Sequence, residues 1–405
     1  MNPYKNGILY AIFSLLILFL PLLIQDRAPL PPAIEENLYR IPYLIFLIGL
    51  VLCWLFYTSR EFILLLILGT GFWSLQNYIW DGILSTDRKI ILYDLLCIFI
   101  PVNFIILNFL KERGILNQHG IKRLLFIIFQ VVFVSWLVHP SNAFFRFHIP
   151  ATDIFPFEYS STIKQPLFIV MTLSLIILVG DWVVKGSQLR YAWILILASI
   201  MLALHHVNDK QVATIYFILG GIITITAIII HSYNLAYKDE LTQLPSRRAL
   251  KQKLSSLGKT YAIAMTDVDH FKKLNDTYGH DVGDDVLKML ATHLSQVEGG
   301  GKAYRYGGEE FTIVFPGKDA KNAAVYLEAL RTTIDSTPFT IRHKKRPRKK
   351  PENNSPVSGS KSLKVTVSIG VAGKTDGQSP QDVMKTADQA LYKAKKSGRN
   401  QVMVN

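Results

Sequence analysis

Asp267-Val-Asp-His-Phe-Lys-Lys-Leu-Asn-Asp-Thr-Tyr-Gly-His-Asp-Val-Gly-Asp284 opens with a change of period that sets the fold of the C-terminal part of the chain. The run from Tyr261 to Val268 that leads into it is short and apolar, the pattern of a strand covered on both faces. Beyond it the apolar residues recur at helical spacing to about Gln296. Working outward, strands are predicted from Lys302 to Tyr306 and from Phe311 to Phe315, then a helix from Ala320 to Asp335. Two further strands follow, Phe339 to Ile341 and Lys364 to Val371, then a helix from Pro380 to Lys396 and a short strand from Gln401 to Val404. Strands and helices interleaved in this way predict one α/β domain.

The strands flanking Gly307 and Gly308 read as a β-hairpin, with the two glycines expected to supply the positive φ of a tight turn. Its tip then carries Glu309 and Glu310. A Gly-Gly turn alone is common, and two acids at a turn are ordinarily just solvated. Asp267 and Asp269 at the end of the first strand change that reading, because carboxylates from neighbouring strand ends suit one hard cation. Mg2+ fits such a place, being held by one or two carboxylates together with substrate phosphates.

The quoted stretch, Arg305-Tyr-Gly-Gly-Glu-Glu-Phe311, Ala390-Leu-Tyr-Lys-Ala-Lys395 and Gly398-Arg-Asn400 together resemble the GGDEF family of diguanylate cyclases, in order and at that family's spacing. The resemblance covers about residues 237–405. It implies a sheet core like that of nucleotide cyclases and polymerase palm domains, and condensation of two GTP into cyclic di-GMP with release of pyrophosphate. It also implies that Asp267, the carbonyl of Val268 and Glu309 hold Mg2+, or Mn2+ in its place. Glu310 would be a further carboxylate at the metal, and Glu309 the proton acceptor for the attacking 3′-hydroxyl. Lys272, Lys395 and Arg399 would stabilise phosphate charge, with Glu309, Lys272 and Glu310 counted as catalytic. Asn275, His280 and Asp284 would line the nucleoside pocket, and a carboxylate at Asp284 goes with guanine. Gly307, Gly308 and Phe311 complete the signature. Each domain would bind one GTP, so a homodimer is part of the implied active site.

Three features depart from the family pattern. Glu298 and Gly301 stand where many such cyclases carry the Arg and Asp of a product-inhibition site, so no inhibitory site is expected here. Gln243 replaces a usual glycine and Ser246 a usual asparagine in the turn from Asp239 to Arg248, with the cost expected in stability or domain orientation. A segment at 342–362 contains seven basic residues within 342–350, followed by Pro, Asn, Ser and Gly. Such a composition predicts a disordered hairpin loop. It reads either as a solvated linker or as a contact to anionic lipid.

Before about residue 235 the chain changes character, with apolar residues in long runs. Eight membrane spans, with seven as the alternative, are predicted near residues 8–24, 41–57, 61–80, 90–109, 121–139, 166–184, 190–206 and 212–233. The expected organisation is therefore an α-helical multi-span membrane domain over 1–233, a short helical linker over 234–238, and an α/β GGDEF domain over 239–405. Lys111, Arg113, Lys122 and Arg123 in one loop, and Lys185 and Arg190 in another, orient those loops and both termini to the cytoplasm. The implied location is a bacterial inner membrane. Asp94, Asp181, Gln76, Asn77 and Asn103 fall in or near spans and are functional candidates, or else hydrogen bonds between helices. His205 and His206, with Asp209, His139 and His148, suggest either a metal or haem site or, more plainly, a wet interfacial pair. The aromatic loop from Ser141 to Gln165 suggests a ligand cap or a lipid contact.

The net charge is +14, from 44 basic and 30 acidic residues, and 28 basic against 18 acidic residues lie from position 239 onward. That excess of ten includes the seven basic residues of one loop, so nucleic acid is not an expected partner. Cys53 and Cys97 sit in apolar runs and imply no disulfide. Beside an active cyclase stand two other readings, an idle GTP-binding receptor or scaffold, and a transporter with a regulatory tail.

Overall fold

A computed structural model describes residue 21 and residues 31–82, 84–139, 162–341 and 362–405. The chain divides into two compact units, Met1–Ser232 and Tyr233–Asn405. The predicted first span except Pro21, the aromatic loop up to residue 161 with His148, and all of the basic segment except Ser362 lie outside the described residues.

The first unit is helical. Its elements are α1 (Pro32–Leu55), α2 (Ser59–Ser74) continued by a π-helical turn (Leu75–Trp80), α3 (Thr86–Phe109), α4 (Gln118–Val138), α5 (Gln165–Lys185), α6 (Gln188–His205) and α7 (Lys210–Tyr237). Counting the π turn with α2, seven helices among the described residues are long and apolar enough to cross a membrane. α3 is the most enclosed of them and α4 the most peripheral. The interior is a cluster that includes Phe72, Phe104, Trp193 and Phe217. Outward positions are apolar as well, with Leu47, Phe129 and Val183 at 59%, 65% and 69% exposed. A soluble protein seldom leaves so many large apolar side chains facing water.

The polar residues predicted in or near spans meet partners on other helices or on their own. Asp94 is paired with Lys164 at 2.6 Å, and Asp181 with Lys185 at 2.6 Å and with Arg190. Asn103 and Gln130 exchange hydrogen bonds, Tyr43 Oη donates to Gln76, and Asn77 donates to the Trp73 carbonyl. His205 and His206 pack edge to face at 4.8 Å. Among the described residues no group of three or more His, Cys, Asp or Glu side chains is arranged to hold a metal.

The second unit is built on a five-stranded sheet of order β2-β3-β1-β6-β7. The strands are β1 (Tyr261–Val268), β2 (Lys302–Gly307), β3 (Glu310–Pro316), β6 (Val367–Gly373) and β7 (Val402–Val404), while β4 (Phe339–Thr340) and β5 (Ser362–Leu363) form a separate ribbon. β1 is central, antiparallel to both β3 and β6, and buried along its whole length. Alternation sends its side chains to two cores. Ala262 and Ala264 join the cluster under α10 (His280–Leu294) and α11 (Ala320–Ser336), whereas Tyr261, Ile263 and Met265 join that under α8 (Arg247–Ser255) and α12 (Pro380–Lys396). α12 starts on a capping box in which Ser379 and Asp382 satisfy each other's backbone N–H.

Four expectations change. The helix predicted to run to Gln296 is broken at Gly279, φ +86°, into α9 (Phe271–Tyr278) and α10. The strand predicted from Lys364 begins only at Val367, because Ser362 and Leu363 pair with β4 instead. α8 was not anticipated, its nine residues being mostly polar. The hairpin is present, but neither Gly307 nor Gly308 has positive φ. An irregularity between Arg305 and Gly307 shapes the turn instead, pairing Gly307 with Glu310.

Candidate active site

The open ends of β1 and of the β2–β3 hairpin meet through strand register. Asp267, the penultimate residue of β1, is the direct cross-strand partner of Glu310, the first residue of β3. Like charges in that relation repel unless something cationic lies between them. Lys395 from α12 brings a cation to this end of the sheet, with Nζ 2.8 Å from Asp267 Oδ1. Asp267 is nevertheless only 4% exposed. Burial pushes its carboxyl above the usual range; Lys395 draws it back and the neighbouring Asp269 adds to the rise. Glu309 at the hairpin tip is also raised, first by burial and then by the charge of Asp267, with Lys395 opposing and Glu310 adding.

The cluster thus holds more negative charge than one lysine balances. It does not close by itself around a metal, since no trio of ligating side chains converges among the described residues. Carboxylates gathered at one sheet end, Asp267 and Glu310 by register and Glu309 beside them, suit a Mg2+ ion completed by phosphate oxygens, so the residues fit that ion. Val268 ends β1 beside them and pairs with Val367, placing its carbonyl at the same sheet end.

Beyond β1 the backbone turns through His270, φ +58°, into α9. Lys272 stands exposed in its first turn and Asn275 one turn later, on the same helix face. His280 and Asp284 share a face of α10 in the same way, and both are exposed. The Asn275 Oδ1 atom is buried without a hydrogen-bond partner. It lies against Gly283, where a Cβ would sit 1.9 Å from it, so the close seat of Asn275 depends on that glycine. Arg399 follows α12 with φ +65°, its N–H donating to the Ala394 carbonyl. Its charge lowers the carboxyl of Asp267, so it belongs electrostatically to the same site. Phe311 is fully buried and serves the core beneath the hairpin.

Asp269 is placed differently from the expectation. It does not share a cation with Asp267: its carboxylate accepts from Thr366 Oγ1 at 2.8 Å, Ser368 Oγ at 2.7 Å and the Asn400 N–H at 3.0 Å. Sequence reading also gave Arg305 no role. Its guanidinium donates to Asp239 Oδ1 at 2.7 Å and, through Nε and Nη2, to the Gly308 carbonyl. Asp239 Oδ1 accepts in addition from the Thr242 N–H and Oγ1, so the turn at 239–242 and the hairpin are tied through one oxygen. Arg247 stacks over Tyr306 at 4.6 Å on the same hairpin.

Residues 236–401 match the family described as Diguanylate cyclase, GGDEF domain. The response regulator PleD of Caulobacter vibrioides is 38% identical over 182 residues, covering 43% of this chain and 37% of PleD. The diguanylate cyclase VdcA of Vibrio cholerae is 36% identical over 169 residues, covering 41% of this chain and 46% of VdcA. The chain therefore spans less than half the length of either relative. Among solved structures, the coiled coil and GGDEF domain of DgcB from Caulobacter crescentus, in complex with c-di-GMP, is 32% identical. It covers 44% of this chain and 90% of that one, with a TM-score of 0.38.

Proposed function

Because residues 236–401 form a GGDEF domain homologous to those of diguanylate cyclases, we propose that the chain is a membrane-bound diguanylate cyclase that condenses two GTP into cyclic di-GMP and two pyrophosphates. The observation that carries this reading is the facing of Asp267 and Glu310 across β1 and β3, beside Glu309, with Lys395 as the paired cation.

GGDEF diguanylate cyclases use divalent metal ions. Here Asp267, the Val268 carbonyl, Glu309 and Glu310 would hold Mg2+, which neutralises phosphate charge and favours loss of the 3′-hydroxyl proton when bound. Glu309, whose raised carboxyl is suited to taking a proton, accepts that of the attacking hydroxyl. Lys272, Lys395 and Arg399 meet the charge that grows on the phosphate oxygens as pyrophosphate leaves. Asn275 and Asp284 read the guanine edge, with His280 at the mouth of the pocket. Each domain brings one GTP, so turnover needs two copies face to face.

The helical unit supports the membrane part of the reading. Its outward apolar surface suits lipid, and its basic loops at 111–123 and 185–190 suit the cytoplasmic side of a bacterial inner membrane. A signal in that unit would act by favouring one pairing of two chains over another. The test is conversion of labelled GTP to cyclic di-GMP by the full chain in lipid, with Glu309→Ala as control. Product formation by wild type and its loss in the variant are expected. GTP binding without product from wild type would reject the enzyme and leave a receptor.

A further inference from the structure

Asp269 lies next to the proposed metal site but does not face it. Its side chain joins three segments that are distant in sequence: the end of β1, the entry to β6 at Thr366 and Ser368, and the turn after α12 at Asn400. The backbone reciprocates, the Asp269 N–H donating to the Thr366 carbonyl at 3.0 Å. The carboxylate is buried, 8% exposed, and both its oxygens are taken by donors. A group so occupied has little left for a cation.

The turn it holds is sterically unusual. Gly398, Arg399 and Asn400 have φ of +109°, +65° and +45°, three successive positive values of which two belong to residues with a Cβ. Such a path persists only where its surroundings hold it. Arg331 Nη1 anchors the Asn400 side chain and the Arg399 N–H bonds to Ala394, but the Asn400 N–H goes to Asp269. That bond is charge-assisted and sits one residue from Arg399.

We infer that Asp269 is a positioning residue, which fixes the left-handed turn at Arg399 and thereby aims that guanidinium at the triphosphate of the bound nucleotide. The inference rests on the GTP-site reading above. It gives the two acids of Asp267-Val-Asp269 separate tasks, Asp267 toward the cation and Asp269 toward the geometry of the cationic clamp.

The test uses the full chain in lipid and measures the Kd for labelled GTP with Mg2+, the half-saturating Mg2+ concentration, and turnover. Asp269→Ala should weaken GTP binding by about tenfold, the scale of one lost charged hydrogen bond, with half-saturating Mg2+ unchanged. Asp269→Asn, which still offers a carbonyl to the Asn400 N–H, should recover most of the loss. The decisive measurement is the double variant Asp269→Ala with Arg399→Ala, expected to bind no worse than Arg399→Ala alone because the first change acts through the second residue. Losses that multiply, a shifted Mg2+ requirement, or an Asn variant as weak as Ala would each overturn the inference. If the Ala variant fails to fold, Asp269→Ser leaves the Asn400 N–H without its acceptor and carries the same cycle. Binding is read without turnover, so a chain that binds GTP but makes no product refutes the enzyme reading and still decides this one.

Discussion

Asp239 offers the sharpest test of how the hairpin is held. Its Oδ1 accepts from Arg305 Nη1, the Thr242 N–H and Thr242 Oγ1. Burial raises the carboxyl, yet the hydrogen bonds from Arg305 and Thr242, with the charge of Arg305, outweigh it and hold the group below the usual carboxylate range. A hydrogen bond to a charged partner contributes about 1.5–3 kcal/mol. The Asp239 side chain is 25% exposed, so solvent screening brings the loss expected in Asp239→Ala to about 2 kcal/mol. Asp239→Asn keeps an acceptor but not the charge and should lose about 1 kcal/mol. A depressed folded-state pKa contributes stability that is complete above the unfolded value of about 3.9 and vanishes as pH falls through the folded value. The gap between wild type and Asp239→Asn should therefore be level from pH 7 to 5 and close below pH 4. Urea unfolding of the full chain in detergent, followed by circular dichroism, measures it. A gap that persists undiminished at the lowest pH, or is absent at neutrality, would refute the reasoning.

Three further outcomes are expected. Gln243 adopts φ +59°, which disfavours any residue with a Cβ, so Gln243→Gly should stabilise the C-terminal unit by about 0.5–1 kcal/mol in the same urea titration. Added cyclic di-GMP should slow wild type and Glu298→Ala equally, because the 298–301 turn has no basic side chain to clamp a phosphate; a difference between the two curves would restore an inhibitory role there. Gly301→Asp should fail to rebuild such a site and should destabilise by about 1–3 kcal/mol, since a Cβ at 301 would come within 2.6 Å of Phe315 Cε1.

What sequence discloses about this site and what it hides divide along a physical line. β1 was legible because both of its faces are covered, which makes Tyr261–Val268 apolar without interruption. Asp267 and Glu310 were legible as chemistry, but their opposition across the sheet is a matter of register, which two strands far apart in sequence do not announce. Asp269 was misread for the same reason. An acid two residues from another lies on the same face of a strand, but the chain leaves β1 at Val268 and Asp269 turns toward Thr366 and Asn400. The two glycines of the signature show the converse error. Their type suggested positive φ, whereas the turn is made by the irregularity before Gly307, and the glycines have ordinary backbone angles. Gln243 is a position where the usual glycine could be understood from sequence comparison only as a pattern, and from its left-handed backbone as a cause.

In the helical unit the same line separates charge from role. A carboxylate among apolar helices is held only where a cation or several donors accompany it, so a lone acid in a span reads from sequence as functional. Asp94 and Asp181 instead meet Lys164, Lys185 and Arg190, all of which lie at or near helix ends. These pairs tie α3 to the start of α5, and the end of α5 to α6, which makes them fasteners of helix arrangement. Glu61, near the start of α2 beside Arg60, is the more demanding group. It is 1% exposed, with Trp193 Nε1 at 3.3 Å from one oxygen, Arg60 Nη2 at 4.0 Å from that same oxygen, and no hydrogen-bond partner for the other among the described residues. What separates it from Asp94 and Asp181 is the distance of its cation, 4.0 Å against 2.6 Å for Lys164 and Lys185, which leaves the buried charge of Glu61 less well compensated.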